Sequence, residues 1–248
     1  MGNQLTDRQF WTNYWESKPN LAIQIERTYL FHQQLEEIVK TNSVQSAIEL
    51  GGFPAYYSIF LHKYLGVRTT LFDYFVHQGI LKKVLQTNGL NENDIPVIEN
   101  DVFTYQTQEK YDLVLSCGLI EHFKDTKDII ERHLKFLKPG GTLFITLPNF
   151  RGVNGWVQKV FDTDNYQKHH IECMDTTYLA SILKELGLKS IKVSYFGRYS
   201  VWLENKSQKS ILTKAFIKAI WFIGKVLTTL LPFESKLLSP YIVLEAKK

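Results

Sequence analysis

Between residues 46 and 147, short apolar runs alternate regularly with amphipathic segments, and this feature limits the possible folds more than any other. The apolar runs end in turn residues, as buried strands do. They predict strands at 46–50, 67–72, 96–99, 111–117 and 142–147, separated by predicted helices at 56–65, 80–88 and 126–137. Strands that alternate with helices over this length predict a doubly wound α/β fold with a mostly parallel sheet.

The chain continues on both sides of this core. Residues 7–41 have helical apolar spacing and predict an N-terminal helical cap over 1–41, ahead of a main domain over 42–248. Residues 190–196 and 241–246 predict two more strands, which makes the sheet seven-stranded. A helical insertion at about 200–240 precedes the last strand.

The charge and cysteine content exclude several classes of protein. A net charge of +4 is too small for the concentrated basic surface of a polyanion binder, so no nucleic-acid partner is expected. The two cysteines, Cys117 and Cys173, cannot build a disulfide framework and lack metal-ligand spacing, so we predict no metal and a reducing compartment. The polar N-terminus lacks the pattern of a secretory signal. These features predict a cytoplasmic protein.

Polar residues that follow the predicted strands are the first candidates for a binding site, because ligands of doubly wound sheets lie beyond the carboxyl ends of the strands. A glycine turn lets the backbone approach a ligand closely, and a carboxylate after the second strand can accept hydrogen bonds from ribose hydroxyls. Any one of these features alone is usually a turn or a helix cap. The candidates are Glu49, Gly51, Gly52, Asp73, Tyr74, Asp101, Val102 and Ser116.

In this order, the features resemble the class I methyltransferases that depend on S-adenosyl-L-methionine (SAM), a Rossmann-like family. The closest likeness is to a bacterial group with a Gly-Leu-Ile-Glu-His-Phe type segment, which stands here at 118–123 and is followed by Leu-Lys-Pro-Gly-Gly at 137–141. The resemblance covers about residues 45–150. It implies SAM as cofactor, with the turn from Glu49 to Gly52 at its methionine part. It also implies that Asp73 holds the ribose, that Tyr74, Asp101 and Val102 lie at the adenine, and that Ser116 contacts the methionyl end through backbone atoms.

The glycine turn departs from the family pattern, which is acidic-x-Gly-x-Gly-x-Gly. Phe53 and Ala55 replace the second and third glycines, and Pro54 removes one N–H, so we expect the turn to bend differently. A nicotinamide dehydrogenase would need Gly-x-Gly-x-x-Gly to hold a pyrophosphate, and Gly51 lacks glycines two and five residues further on. SAM therefore fits the sequence better than a dinucleotide.

Methyl transfer requires an in-line approach and a deprotonated acceptor. His122, just past the fourth strand, is the predicted catalytic residue that deprotonates or orients the acceptor; the alternative is that it caps or packs the following helix. Its neighbour Glu121 is expected to point to solvent. The segment 149–174 has the polar and aromatic mixture of a substrate-recognition loop. The candidate acceptor contacts are Tyr14, Asn154, His169 and His170.

We therefore predict a SAM-dependent methyltransferase that acts on an oxygen, or a nitrogen, of a small-molecule, saccharide-like or lipid-linked acceptor. The alternatives are a methyltransferase of RNA or protein, and a SAM-binding regulatory or scaffold protein without catalysis.

The segment 211–231 predicts a basic amphipathic helix, with Lys214, Lys218 and Lys225 in one narrow arc. A basic amphipathic helix suits the surface of an anionic membrane, and would place the protein at its cytoplasmic face. The alternative is that its apolar face, including Phe216, packs against the core or against a second subunit in a homodimer. The three lysines argue against a membrane-spanning helix.

Overall fold

The structure is a computed structural model, and it describes residues 3–18, 20–204, 206–230 and 233–248. The helices are α1 (Arg8–Glu16), α2 (His32–Asn42), α3 (Tyr56–Leu65), α4 (Gln78–Thr87), α5 (Thr126–Phe136), α6 (Val153–Phe161), α7 (Thr163–Tyr166), α8 (Thr176–Glu185) and α9 (Ile211–Leu230). The strands are β1 (Ser46–Leu50), β2 (Arg68–Asp73), β3 (Val97–Glu99), β4 (Tyr111–Cys117), β5 (Leu137–Pro148), β6 (Lys189–Phe196) and β7 (Tyr241–Lys247).

The strands form one mostly parallel sheet of seven strands in the order β3-β2-β1-β4-β5-β7-β6. This confirms the predicted Rossmann-like fold class. In register, Glu49 of β1 lies between Leu71 of β2 and Leu115 of β4. The chain order reverses between β1 and β4, and ligands of open α/β sheets bind at the carboxyl ends of the strands beside such a reversal.

The chain divides into two compact units. The N-terminal unit comprises residues 6–119, 127–145 and 246–248, and the C-terminal unit comprises residues 1–5, 120–126 and 146–245. The N-terminal unit contains β1 to β4 and most of β5. The predicted boundary between the helical cap and the main domain at residue 41 lies inside this unit and stays a prediction.

The prediction of a helical segment over 7–41 is wrong for its middle part, since only α1 and α2 are helical and residues 20–26 lack regular structure. Side chains from other helices satisfy the backbone of this segment instead. Asn88 accepts a hydrogen bond from the Ile25 N–H at 2.7 Å and donates one to the Ile23 carbonyl at 2.9 Å. The hydroxyls of Tyr56 and Tyr64 donate to the carbonyls of Leu21 and Ile25. Position 19, a proline that disfavours helix before it, lies outside the described residues.

The C-terminal unit differs from the sequence prediction in one further respect. The segment 149–174, expected as a recognition loop, contains the helices α6 and α7. The predicted helix at 211–231 is present as α9, and residue 231 lies outside the described residues. Within the described part of the chain, no helix is both long enough and apolar enough to cross a membrane.

Candidate functional site

The turn after β1 brings backbone and side chains into close contact. Gly51 has a φ of +62°, and a Cβ there would lie 2.6 Å from the Leu119 side chain. A Cβ on Gly52 would lie 2.4 Å from Cγ of Glu49. Both positions therefore require glycine for packing within the protein, in addition to any close approach of a ligand.

Glu49 is buried beneath this turn. Its Oε2 accepts hydrogen bonds from the Ser58 N–H at 2.7 Å and the Ser58 hydroxyl at 2.6 Å, which ties β1 to the start of α3. Burial raises the pKa of Glu49 to about 7, although the bonds from Ser58 oppose this rise. The carboxylate thus lies at the predicted place with part of its lost hydration uncompensated.

Asp73, at the end of β2, joins that strand to the glycine turn. Its Oδ2 accepts from the Phe53 N–H at 2.9 Å, and its Oδ1 accepts from the Phe75 N–H at 3.1 Å. Burial raises the pKa of Asp73 to about 6, against the effect of these bonds. The predicted position of Asp73 beside the Gly51 turn is thus present in the structure, while its contact with a ribose stays a prediction.

The remaining predicted cofactor residues occupy different environments. Tyr74, Asp101 and Val102 are half-buried at the strand ends, and Asp101 accepts from the Phe103 N–H at 2.9 Å. Ser116 is fully buried, and its hydroxyl lies 2.9 Å from Nε2 of His133. That side chain serves the packing of β4 against α5, so only its main chain is a candidate for the predicted cofactor contact.

The helix α1 contributes residues that the sequence did not single out. Trp15 packs edge-on against Phe53 of the glycine turn, with ring centroids 5.2 Å apart. Arg8 forms an ion pair with Glu99 at the end of β3, and its guanidinium lies 5.7 Å from the centre of the Tyr74 ring. The signal available in the sequence was the N-terminal aromatic cluster of α1, formed by Phe10, Trp11, Tyr14 and Trp15, but α1 contacts these strand ends only through tertiary folding. Tyr14, the predicted acceptor contact, lies among the rings of this cluster, with Lys18 Nζ 4.3 Å from its centre.

A second cluster lies in the C-terminal unit. One side-chain nitrogen or oxygen from each of Glu121, His122 and His169 lies within 4.8 Å of the others. The expectation that Glu121 points to solvent is wrong, because only 1% of the residue is exposed. Its Oε2 has no hydrogen-bond partner, and burial raises its pKa to about 8. The short helical turn Ile120–His122, which follows β4, directs the side chain inward.

The two histidines of this cluster are held by backbone carbonyls. Nδ1 of His122 lies 3.0 Å from the Lys168 oxygen, and Nδ1 of His169 lies 2.7 Å from the Asn165 oxygen. Burial lowers the pKa of His122 to about 3 and lowers that of His169 as well, so both rings are neutral at physiological pH. An imidazole with so low a pKa is a weak base, and the catalytic role of His122 stays a prediction.

The side chains of the other two predicted acceptor contacts, His170 and Asn154, contact residues outside this cluster. His170 is directed towards the Thr126 hydroxyl, 3.3 Å from Nδ1, and towards Glu172. Asn154 is buried in α6, where its Oδ1 accepts from the Trp202 N–H at 3.3 Å. The Nδ2 of Asn154 is buried without a hydrogen-bond partner. The structure therefore distinguishes His169 from His170, which the sequence could not.

The buried carboxylates of the N-terminal unit fit the cofactor that the resemblance implies. Glu49 and Asp73 have raised pKa values mainly because they are desolvated, so additional hydrogen-bond donors would stabilise their charged forms. SAM carries an ammonium group and two ribose hydroxyls, which are donors of the required kind. The residues present therefore fit SAM.

Comparisons with known proteins point to the same chemistry. The model of a methyltransferase domain family matches residues 23–193. Phosphoethanolamine N-methyltransferase 2 of Haemonchus contortus, solved with SAM, is 16% identical with a TM-score of 0.58, and the alignment covers 87% of this chain and 52% of that one. The chain thus spans about half the length of that enzyme. No curated protein matches the sequence.

Two further solved structures align with most of their own length. A SAM dependent methyltransferase from Archaeoglobus fulgidus is 17% identical with a TM-score of 0.51, covering 87% of this chain and 94% of that one. A plantazolicin methyltransferase in complex with S-adenosylhomocysteine (SAH) is 12% identical with a TM-score of 0.58, covering 97% and 89%. At these identities the similarity shows a common fold.

Proposed function

The chain belongs to the methyltransferase family whose domain model covers most of it, and from this premise we propose that it methylates an oxygen, or a nitrogen, of a small-molecule, saccharide-like or lipid-linked acceptor. SAM is the methyl donor of this family. The observation that carries the assignment of the donor site is the meeting of two buried carboxylates, Glu49 and Asp73, at the glycine turn between β1 and α3. This turn stands where the sheet order reverses.

When bound, SAM supplies an electrophilic methyl group, so the protein has to position the donor and exclude water. Asp73 would accept hydrogen bonds from the ribose hydroxyls, and Glu49 would face the ammonium group. Trp15 and Phe53 would form an apolar cover beside the glycine turn. Orientation of this kind accelerates a displacement because it replaces a bimolecular encounter with a preformed geometry.

We assign the orientation of the acceptor to His122. Because its pKa is low, the ring is neutral. It is therefore better suited to orient a hydroxyl or amine by a hydrogen bond than to act as a strong general base. The test is formation of SAH with panels of small-molecule, glycan, lipid-linked, RNA and protein acceptors. We expect turnover with one of the first three panels, and a fall by roughly 10²–10⁴-fold in His122→Ala with SAM affinity retained.

Each other result of this test has a definite meaning. Turnover confined to RNA or protein would replace the proposed acceptor class. Binding of SAM without turnover on any panel would favour the regulatory alternative. If His122→Ala keeps full turnover with an established acceptor, then His122 is structural.

We also propose that α9 lies on the surface of an anionic membrane and brings the enzyme to an acceptor held there. The inner face of α9 is anchored, since Ile217 packs in a buried cluster that includes Tyr199. The outer face is apolar and exposed: Leu212, Phe222 and Ile223 have 83%, 62% and 58% of their surface accessible. None of the residues that the structure describes covers these side chains.

The charges beside this face support an anionic partner. Lys214, Lys218 and Lys225 line one flank of α9, and each would contribute about 1 kcal/mol near anionic lipid. Trp221 lies on the same flank as these lysines, with Lys225 Nζ 5.8 Å from its ring, and Trp is enriched at membrane interfaces. A water-soluble binding partner without a defined negative charge would not require an exposed apolar face together with lysines and a tryptophan.

Flotation with liposomes tests the membrane proposal. We expect the protein to float with anionic vesicles at low salt, and to float less with neutral vesicles or at high salt. Phe222→Asp and Lys218→Glu should reduce flotation. Tyr178→Asp on α8 and Lys83→Glu on α4 are matched controls at other exposed positions and should float like the wild type. Failure to float, together with a dimer that Phe222→Asp dissociates, would assign this face to a second copy of the chain.

A further inference from the structure

Glu121, His122 and His169 form a buried set of three side chains whose ligand atoms already converge. The atoms lie within 4.8 Å of one another, and all three residues belong to the C-terminal unit. Donor atoms around a tetrahedral Zn²⁺, bound at about 2.0–2.2 Å, stand about 3.3–3.6 Å apart. Small side-chain rotations would therefore complete the set.

The hydrogen bonds of the two rings prepare them as ligands. A carbonyl oxygen can only accept, so the contacts with the oxygens of Lys168 and Asn165 place the proton of each ring on Nδ1. Nε2 of each ring then carries a lone pair. Histidines that bind metals are typically fixed in this way, with the second ring nitrogen donating to a backbone carbonyl or a carboxylate.

Glu121 supplies an independent observation. Its Oε2 is buried and has no hydrogen-bond partner, which is costly for a carboxyl group in a protein interior. A cation bound between Glu121 and the two rings would satisfy this oxygen and would compensate for the loss of hydration. A packing role for Glu121 does not account for the unpartnered oxygen.

We propose that Glu121, His122 and His169 bind a divalent transition-metal cation of the Zn²⁺ type. Two imidazoles and one carboxylate are ligands that suit Zn²⁺, and three protein ligands leave one position open for water or another oxygen ligand. With the cation bound, both ring nitrogens of His122 are engaged, so its proposed effect on the acceptor would act through the cation and its open position in place of a direct hydrogen bond. Binding of the cation itself does not depend on the methyl transfer.

Titration of the untagged, chelator-treated chain with Co²⁺ tests the site, because Co²⁺ replaces Zn²⁺ and absorbs visible light. We expect one Co²⁺ per chain, displaced by Zn²⁺. Glu121→Gln and His169→Gln should each weaken binding by at least about 10-fold, since even outer-shell changes at metal sites cost 10–100-fold. His170→Gln is the matched control, because that ring is directed towards Thr126 and Glu172, and it should bind like the wild type.

Each contrary result overturns the proposal. Absence of bound Co²⁺ and Zn²⁺ in the wild type would do so, as would equal losses in His169→Gln and His170→Gln. A thiolate-to-cobalt charge-transfer band would show that a cysteine takes the ion instead. Circular dichroism checks the fold of each variant, and the wild-type stoichiometry decides the question if the variants unfold. Because SAM and acceptor are absent from this titration, its failure is distinguishable from failure of the proposed methyl transfer, which calorimetry with SAM and the SAH assay measure separately.

Discussion

Asp73 has the best-defined structural role among the residues proposed to hold the cofactor. Its two oxygens hold the backbone of Phe53 and Phe75, and the same oxygens retain lone pairs that can accept from a ribose. One side chain therefore supports the glycine turn and, under the proposed assignment, would also contact the ligand. Replacement by alanine would combine both losses, so a conservative change is the more informative test.

We expect Asp73→Asn to weaken SAM binding by about 1 kcal/mol, because a charge-assisted hydrogen bond of about 1.5–3 kcal/mol becomes a neutral one of about 0.5–1.5 kcal/mol. The amide oxygen keeps one acceptor for the turn. Calorimetry with SAM measures the effect, and Asp164→Asn at an exposed position is the charge-matched control. Equal affinity in Asp73→Asn and the wild type would contradict the assignment of the ribose contact.

The sequence predicted the positions of candidate residues better than it predicted the directions of their side chains. Glu49 and Asp73 lie where the strand ends placed them. The inward direction of Glu121 depends on the short helical turn after β4, and the use of the Ser116 hydroxyl depends on His133 of α5. The turn that directs Glu121 is only three residues long, too short to produce a periodic pattern, and His133 lies 17 residues from Ser116, so a local pattern contains neither feature.

At the scale of elements, most strands and helices begin and end close to the predicted residues. The periodicity of a buried strand or an amphipathic helix is local, and it is therefore legible in the sequence. Residues 20–26 are the main exception. They are not helical despite their helical apolar spacing, because the side chains of Asn88, Tyr56 and Tyr64, all distant in sequence, form hydrogen bonds with the backbone of this segment.

The packing of α9 provides a prediction at this scale. Gly224 lies in the middle of the helix, where alanine would ordinarily be more stable by about 1 kcal/mol. A Cβ at this position would lie 2.0 Å from the ring of Tyr199, so that ring or the helix must move. We expect Gly224→Ala to lower the free energy of unfolding by about 1–3 kcal/mol, as overpacking does.

Chemical denaturation in a double-mutant cycle separates the stabilising effect of alanine on the helix from the destabilising clash with the Tyr199 ring. In the background of Tyr199→Ala the clash is removed, and Gly224→Ala should then stabilise the protein. A stabilising effect of Gly224→Ala in the wild-type background would show that α9 does not approach Tyr199 as closely as described. This outcome would also weaken the argument that the inner face is anchored and the outer face exposed.

For the molecule as a whole, buried carboxylates make stability depend on pH. The pKa of Glu49 rises from 4.5 to about 7 and that of Asp73 from 3.8 to about 6, mainly through burial. The negative charge of Asp73 further raises the pKa of Glu49. The charge of Glu99, which is paired with Arg8, further raises the pKa of Asp73. The folded state therefore binds protons more tightly than the unfolded state at both sites.

The last prediction follows from the sign of these shifts. A carboxyl whose pKa is raised by folding contributes stability below its unfolded pKa, and this contribution is lost as pH rises through the folded pKa. Without ligand, Glu49 should thus lower the free energy of unfolding between about pH 4.5 and pH 7, and Asp73 between about pH 3.8 and pH 6, by roughly 3 kcal/mol each. If Glu49 and Asp73 hold the cofactor as proposed, bound SAH, which retains the ammonium and ribose groups, should stabilise the ionised carboxylates and oppose this loss. We expect the increase in melting temperature caused by SAH to be larger at pH 7.5 than at pH 5, and Glu49→Gln to flatten both the pH dependence of stability and the pH dependence of the SAH effect. The difference between wild type and Glu49→Gln removes the contributions of carboxyls elsewhere in the chain. If the two proteins show the same slope of stability against pH, burial does not raise the pKa of Glu49 as described. The argument for its contact with the ammonium group of the cofactor then fails.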